Sequence, residues 1–362
     1  MQKAGVMEAT TREKREEELA AYLRRVGFFP QYKQQLDGSV WPAVTAATLV
    51  ELHQRQVRQV PFENLDQHSA RHIVLDFDVI YHKVVQRQRG GFCFELNGLY
   101  VEMLRRLGFD VVLYPARVQS EGSWTTRKSH VVTVVRVKEP KAKQDYPPDD
   151  DDDDGCELQT WISDVGYASC PHTPLRYDWI GVEQPGDGEW AGFRLTRVKA
   201  EVAEDDPDQE CVMMERRRKA DGEWLKAILI YEQPRSLAEL TPNCDALQAD
   251  EETHLSKRIL ISAISESGRK TMSGAYRLIT TTFADGQRVE RNIMMSDEDG
   301  QRVAREATVD STTAEEEQRQ QRMPTEKEVY LEVLQREFDL RLTEDEQRAL
   351  DLEKSKRNSS VW

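Results

Sequence analysis

At Gly108 the hydrophobic period of this 362-residue chain changes, and that change restricts the fold more than any other feature. Before it, apolar residues recur at helical spacing: Leu19, Tyr22, Leu23 and Val26; Leu49, Leu52 and Val57; Val79, Ile80, Val84 and Val85; Leu96, Leu99, Met103, Leu104 and Leu107. Steps of three and four put each set on one helix face, and such faces must be buried against one another. After Gly108 the runs 111–114, 131–137, 158–162, 193–198, 211–215 and 224–231 are rich in β-branched and aromatic residues and read as strands. The expected fold is therefore α+β: a helical bundle over 1–108, then an antiparallel β-barrel or sheet over 109–235.

Local signals set the boundaries. Thr10 to Glu13 has the form of a capping box, giving a first helix from Thr10 to about Val26 that stops at Gly27. A second helix runs from Thr45 to Val57 and ends before Pro61, with Phe62-Glu63-Asn64-Leu65 as an irregular connection. Asp76 is the N-cap of a third helix. Between two strands, 138–155 is an insertion with aspartate at every position from Asp149 to Asp154; such charges repel and stay solvated, and they lack the spacing of an EF-hand. The last third, 236–362, opens on a short helix at Thr241-Pro242. Strands at 258–265 and 276–283 follow, turning at Ser267-Gly268 and Asp285-Gly286. A polar loop over 296–321 leads to an amphipathic helix, 326–338, packed on that sheet as an α/β lid.

Lys+Arg number 50 against 65 Asp+Glu, a net charge of -15, which argues against nucleic-acid or anionic-membrane surfaces. An anionic ligand would have to meet a local basic patch. No run is apolar enough for a membrane span, and the first residues lack the apolar core of a secretory signal. The five cysteines have no C-x-x-C pair and the histidines no H-x-x-x-H pattern, so neither a disulfide framework nor a metal is expected, and a reduced, cytoplasmic, monomeric protein is.

One stretch carries chemistry. In Arg89-Gly90-Gly91-Phe92-Cys93-Phe94-Glu95-Leu96-Asn97 a glycine turn delivers Cys93 to the start of a helix, where free N–H groups and the helix dipole favour a thiolate. The structural alternative is a small buried hydrophobe. A nucleophilic thiolate needs a base, and the base needs an orienting partner. His130 opens the strand 131–137 and Asp164 closes the strand 158–163; antiparallel pairing would bring both to one sheet edge. Bundle and sheet would then close a Cys93, His130, Asp164 core like that of the cysteine proteases. Alternatively His130 is a strand-end residue and Asp164 a turn residue.

The Arg89–Asn97 stretch resembles the R-G-G-x-C-x-E-x-N signature of the arylamine N-acetyltransferases. Tyr22 to Gly27, Val60-Pro61-Phe62-Glu63-Asn64-Leu65-Asp66, Ser129-His130 and Trp161-Ile162-Ser163-Asp164-Val165-Gly166-Tyr167 are similar to further segments of that family, as is Gly268 to Gly274 more loosely. The resemblance implies a ping-pong transfer in which Cys93 takes an acetyl group from acetyl-CoA and passes it to an arylamine or arylhydrazine, a xenobiotic-metabolising chemistry with no metal. It places Phe62 and Tyr167 on the amine pocket and Thr126 and Gly166 by the coenzyme, with Arg127 where a small residue is common. Cys93, His130 and Asp164 become the catalytic residues, and Arg25, Glu63 and Arg89 a structural ion network. Malonyl-CoA is an alternative donor, and a thiol hydrolase or transglutaminase-like acyl transfer an alternative reaction.

Overall fold

The computed structural model describes residues 2–28, 41–120, 122–125, 127–141, 155–187, 189–202, 205–206, 208–284, 287–293 and 325–353. Thr126, the run Asp149 to Asp154, the turn Asp285-Gly286 and the loop 296–321 lie outside the described residues.

The amino-terminal third forms α1 (Gln2–Arg25), α2 (Ala46–Gln59), the short strand β1 (Phe62–Glu63), α3 (Phe77–Tyr81) and α4 (Cys93–Leu107). Helix α1 begins at Gln2, so the Thr10–Glu13 motif lies inside it and does not cap it. Ala4, Met7, Glu8 and Ala9 are good helix formers that outweigh Gly5, and no proline precedes Thr10 to stop the helix. Thr45 caps α2 by accepting from the Thr48 amide at 3.1 Å, and Asp76 caps α3 by accepting from the Asp78 amide at 2.9 Å. A π-turn, His82–Gln86, continues α3. Its wider winding breaks the 3.6-residue extrapolation: Val84 and Val85 are buried, whereas Val79 is 52% exposed.

Next come β2 (Asp110–Ser120), β3 (Ser123–Trp124), β4 (His130–Pro140), β5 (Cys156–Ile162), β6 (Leu175–Arg176), β7 (Glu183–Pro185), β8 (Gly192–Lys199), β9 (Glu210–Arg217) and β10 (Leu225–Ile230). They form one antiparallel sheet in the order β6-β5-β4-β2-β10-β9-β8-β7, with β3 paired to β2. Strand period explains its two cores: on β4, Val131, Val135 and Val137 pack on the helices while Val132 and Val134 face the sheet's interior with Phe193, Met214 and Ile228. The sheet is nearly closed. Across the gap between its end strands, the buried Gln184 amide accepts from the Arg176 N–H at 2.7 Å and donates to the Arg176 carbonyl at 2.8 Å. One side chain thus supplies the ladder bonds that backbone pairing would otherwise make.

The carboxy-terminal third holds α5 (Thr241–Ala249), α6 (His254–Lys257), β11 (Leu260–Ile264), β12 (Gly268–Ser273), β13 (Arg277–Thr282), β14 (Arg288–Asn292), α7 (Glu326–Phe338) and α8 (Glu344–Ala349). Its sheet runs β1-β11-β12-β13-β14. Sequence period locates two of these strands. β12, whose one large apolar residue is Met272, is legible only as hairpin resemblance, and Phe62–Glu63 is an edge strand on β11, not an irregular connection. Tyr330, Val333, Leu334 and Phe338 of α7 pack on Ile259, Ile261, Met272 and Leu278, and Leu340, Leu342, Leu350 and Leu352 extend the same cluster.

The end of the chain also enters the bundle electrostatically. Glu346 of α8 receives Arg89 Nη1 at 2.9 Å and Arg87 Nη2 at 2.6 Å, and Arg89 further holds Glu63 at 2.7 Å and Asp66 at 3.1 Å. Lys83 joins Asp66 at 2.7 Å and Glu95 at 2.8 Å. Arg25 is not part of this ion network: its guanidinium donates to the Val84 carbonyl at 3.1 Å and the Gln59 carbonyl at 2.6 Å, satisfying exposed helix ends.

Candidate active site

Cys93 is the first residue of α4. Gly90 allows the approach to it: a Cβ there would stand 2.1 Å from the Pro61 carbonyl oxygen and 2.8 Å from Glu63 Cγ. Glu63 in turn donates its amide to the Gly91 carbonyl at 2.8 Å, tying the turn to β1. At the helix start Glu95 reaches back to the Phe92 amide at 3.1 Å, half of a capping box. The turn before Cys93 is therefore held by backbone contacts on one side and by the Arg89, Lys83, Glu63 and Glu95 charges on the other.

His130 and Asp164 meet. Imidazole Nε2 lies 2.6 Å from Asp164 Oδ2, with both side chains almost wholly buried. The last rung between β4 and β5 pairs Val134 with Ile162, so the ladder ends short of His130 and the contact is not made by directly opposed residues. The irregular segment after Ile162 makes it. Ser163 donates its amide to the Thr133 carbonyl at 2.8 Å, and its hydroxyl lies 3.0 Å from both His53 Nδ1 and Tyr100 Oη.

Asn97, one helical turn beyond Cys93, organises the rest. Its Nδ2 donates to Asp164 Oδ1 and to the Val131 carbonyl, each at 2.8 Å, while its Oδ1 accepts from Thr133 Oγ1 at 3.0 Å and the Val165 amide at 3.2 Å. All four bonding positions of the amide are used, so α4, β4 and the Asp164 turn share one node. The sequence motif contains Asn97 without revealing this role; its four-residue spacing from Cys93, which puts both on one face, is the available signal.

Burial opposes charge on Asp164, but His130, the Asn97 amide and the Gly166 N–H at 2.9 Å outweigh it and hold the carboxyl below its ordinary value. Cys93 goes the other way. Burial pushes its thiol well above the ordinary value, Cys244 and Asp164 add to the shift, and the Phe94 and Cys93 amides only partly offset them. Burial thus opposes the thiolate that the helix position favours. Among the described residues, the sulfur's hydrogen bond is to the Ser129 carbonyl at 3.5 Å, with the thiol as donor, and none joins it to His130.

The other residues singled out in the sequence stand around this core. Tyr167 is half-buried with its ring 5.7 Å from that of His130. Phe62 is buried and bridges to Gly91 through its backbone. Gly166 presses on the backbone of Cys93: a Cβ there would meet Asn97 Nδ2 at 2.5 Å and Cys93 Cα at 2.9 Å. Beside the loop preceding His130, Arg117, Arg127, Lys128, Pro242, Asn243 and Ala246 line a cavity of about 310 Å³, a basic opening on an acidic protein. Among the described residues no cluster of three or more His, Cys, Asp or Glu is placed to hold a metal, and no helix is long and apolar enough to cross a membrane.

The N-acetyltransferase family model matches residues 45–147 and 154–307, which include every part of this core. The chain belongs to the arylamine N-acetyltransferase family. It is 34% identical to the arylamine N-acetyltransferase of Escherichia coli over 161 residues, 44% of this chain and 50% of that one. Against the arylamine N-acetyltransferase/N-hydroxyarylamine O-acetyltransferase of Salmonella typhimurium it is 32% identical over 148 residues, 40% of this chain and 46% of that one. The chain thus spans half or less of the length of these curated relatives. In structure, the Mycobacterium abscessus arylamine N-acetyltransferase aligns with a TM-score of 0.65 at 20% identity, over 95% of this chain and 96% of that one. The Mycobacterium marinum enzyme, solved in complex with CoA, aligns at 0.63 and 19% identity, over 93% and 98%. At such identities the likeness establishes a shared fold.

The support under Asp164 gives this family member a pH signature. His53 is buried, its Nε2 lies 2.9 Å from the Pro171 carbonyl, and burial first lowers its pKa from 6.5 to about 4. The folded state therefore keeps His53 neutral while the unfolded chain protonates it below 6.5. Stability is full above that pH and falls by up to about 3 kcal/mol as the pH drops toward 4. Urea midpoints at pH 7 and pH 4.5 measure the loss, and a His53→Gln variant should show a smaller difference between them.

Proposed function

We propose that this chain is an acyl-CoA-dependent N-acyltransferase that moves acetyl from acetyl-CoA to an arylamine or arylhydrazine through a thioester on Cys93. The observation that carries the reading is the His130–Asp164 contact at 2.6 Å, set beside a cysteine at a helix start and braced by Asn97. With Nε2 donating to Asp164, the neutral imidazole leaves Nδ1 as the acceptor for the thiol proton. Burial of Cys93 opposes the thiolate, which leaves the removal of its proton to His130.

In the first half-reaction Cys93 Sγ bonds to the thioester carbonyl carbon, its proton passes to His130, and the coenzyme sulfur leaves and takes that proton. In the second half-reaction the amine attacks the Cys93 acyl carbon, His130 removes the amine proton and returns it to the departing sulfur. The carbonyl oxygen needs N–H donors in both, and the Cys93 amide at the open end of α4 is one that can serve. The basic cavity lined by Arg127 and Lys128 supplies the local positive charge that the coenzyme's phosphates require on a chain of net charge -15. Tyr167 and Phe62 offer flat apolar walls to an aryl group, and Gly166 lets that wall approach the sulfur. Thr126, by its family position, belongs beside the coenzyme.

The test is intact mass after incubation with acetyl-CoA and no amine. The protein gains one acetyl group, a Cys93→Ala variant gains none, and addition of an arylamine discharges the label as the acetylated amine. Absence of the adduct from acetyl-CoA and malonyl-CoA alike defeats the reading. An adduct discharged only by water would instead favour a hydrolase.

A further inference from the structure

The interior face of β9 carries an arginine, Arg216, that has no acidic partner among the described residues. Val212 and Met214 point into the core of the nearly closed sheet, and Arg216 follows them by two residues on that face, at its end. Its guanidinium carbon stands 3.9 Å from the centre of the Trp190 ring and 5.6 Å from that of Tyr167. Nε and Nη1 are buried and find no hydrogen-bond acceptor among the described residues, and the Trp190 indole N–H is buried and unaccepted as well. Carboxylates on the neighbouring strands and on the segment before Trp190 are engaged elsewhere: Glu215 with Arg194 at 2.8 Å, Glu189 with Arg269 at 2.8 Å, Glu183 with Arg217, and Asp187 with the Trp190 and His172 amides at 3.2 and 3.3 Å. A second guanidinium, Arg218, lies 4.4 Å from the Trp190 ring centre and adds to the positive field.

Cation–π contacts hold a guanidinium in place but leave its in-plane N–H fork unused. Buried charged donors left unmade are costly, and a native fold retains few of them without a use. The position suggests the use. Tyr167 touches the Arg216 guanidinium and also stands 5.7 Å from the His130 ring, so arginine and candidate base are separated by one tyrosine.

We propose that Arg216 is the receptor for a substrate carboxylate in the acyl-transfer site, an inference that rests on the function proposed above. A planar carboxylate matches the fork of Nε and Nη nitrogens, and the aromatic rings on either contact exclude water from the pair. The carboxylate can arrive on the acyl group, as in malonyl-CoA, or on the ring of the amine, as in p-aminobenzoate.

Two arms distinguish these sources. In one, kcat/KM is measured for malonyl-CoA against acetyl-CoA with p-toluidine as acceptor; in the other, for p-aminobenzoate against p-toluidine with acetyl-CoA as donor. In an Arg216→Gln variant the carboxylate-to-neutral ratio falls by roughly ten- to a hundredfold in the arm that uses the receptor. Arg216→Lys keeps the charge and the stem but loses the fork, and lowers the same ratio by about threefold or more, which decides the matter if the glutamine variant does not fold. Ratios unchanged in both arms overturn the proposal. Wild-type acylation by mass separates the two failures. No uptake from either thioester removes the transfer reading together with this receptor, whereas uptake with unchanged ratios removes the receptor alone.

Discussion

Replacing Asp164 by Asn lowers kcat/KM for arylamine acetylation by about a thousand- to ten-thousandfold while leaving the fold intact. The geometry dictates which way the new amide faces. In the wild type Oδ1 accepts from both Asn97 Nδ2 and the Gly166 N–H, so the oxygen of the substituted side chain must stay there and its NH2 must turn toward His130. Facing a donor, Nε2 becomes an acceptor and the ring proton moves to Nδ1, the nitrogen that should receive the thiol proton. The loss appears in the acylation half-reaction, measured by stopped-flow release of the coenzyme thiol, and a melting curve close to wild type separates it from unfolding. A wild-type acylation rate in this variant would remove the imidazole–carboxylate pair from the mechanism.

Replacing Glu346 by Ala costs about 3–5 kcal/mol of stability, although the residue lies far along the chain from the candidate nucleophile. Its side chain is buried and receives Arg89, Arg87 and, at 3.2 Å, Arg71; without it Arg89 keeps Glu63 and Asp66 but loses the carboxylate on Nη1. Arg89 directly precedes Gly90, so the loosened charge cluster also reaches the turn that places Cys93, and acylation falls with stability. Acid acts on the same contact. Burial opposes the charge, but hydrogen bonds from Arg87 and the Thr343 amide and the charges of Arg89 and Arg87 outweigh it, taking the Glu346 carboxyl from 4.5 to about 2. Its contribution is therefore complete above pH 4.5 and is lost as the pH falls toward 2, up to about 3 kcal/mol. Urea titrations at pH 7 and pH 3 test both statements: the wild type weakens over that interval, and the Glu346→Ala variant begins weaker and changes less.

The elements governed by local signals are the most legible in the sequence. The Asp76 cap, the helix Cys93–Leu107 stopped at Gly108 and the helix 326–338 follow from local signals that tertiary contacts do not override. Thr10 misleads because a capping motif marks a helix start only where the chain before it cannot be helical. Val79 misleads because a π-turn changes the period on which the buried face is extrapolated. Strand ends anticipate the His130–Asp164 contact, but a non-ladder segment pinned by His53, Tyr100 and Asn97 produces it. The environment of Cys93 differs from the helix-start expectation for a related reason. A helix start favours the thiolate by local dipoles, whereas desolvation comes from every element packed around it.

Arg89 and Arg216 show where the division lies. The chain order alone determined that a glycine turn would bring a cysteine to a helix start, that β-structure would follow, and that one histidine and one aspartate would sit at strand ends, because period, capping and turn chemistry act over a few residues. Tertiary structure alone decided that Arg89 would meet a glutamate from the last described helix, that Gln184 would join the ends of an open sheet, and that Arg216 would face two aromatic rings with no acid among the described residues to pair it. Those outcomes depend on which long-range neighbours occupy each side chain's reach, and on the cost of leaving a buried charge without one.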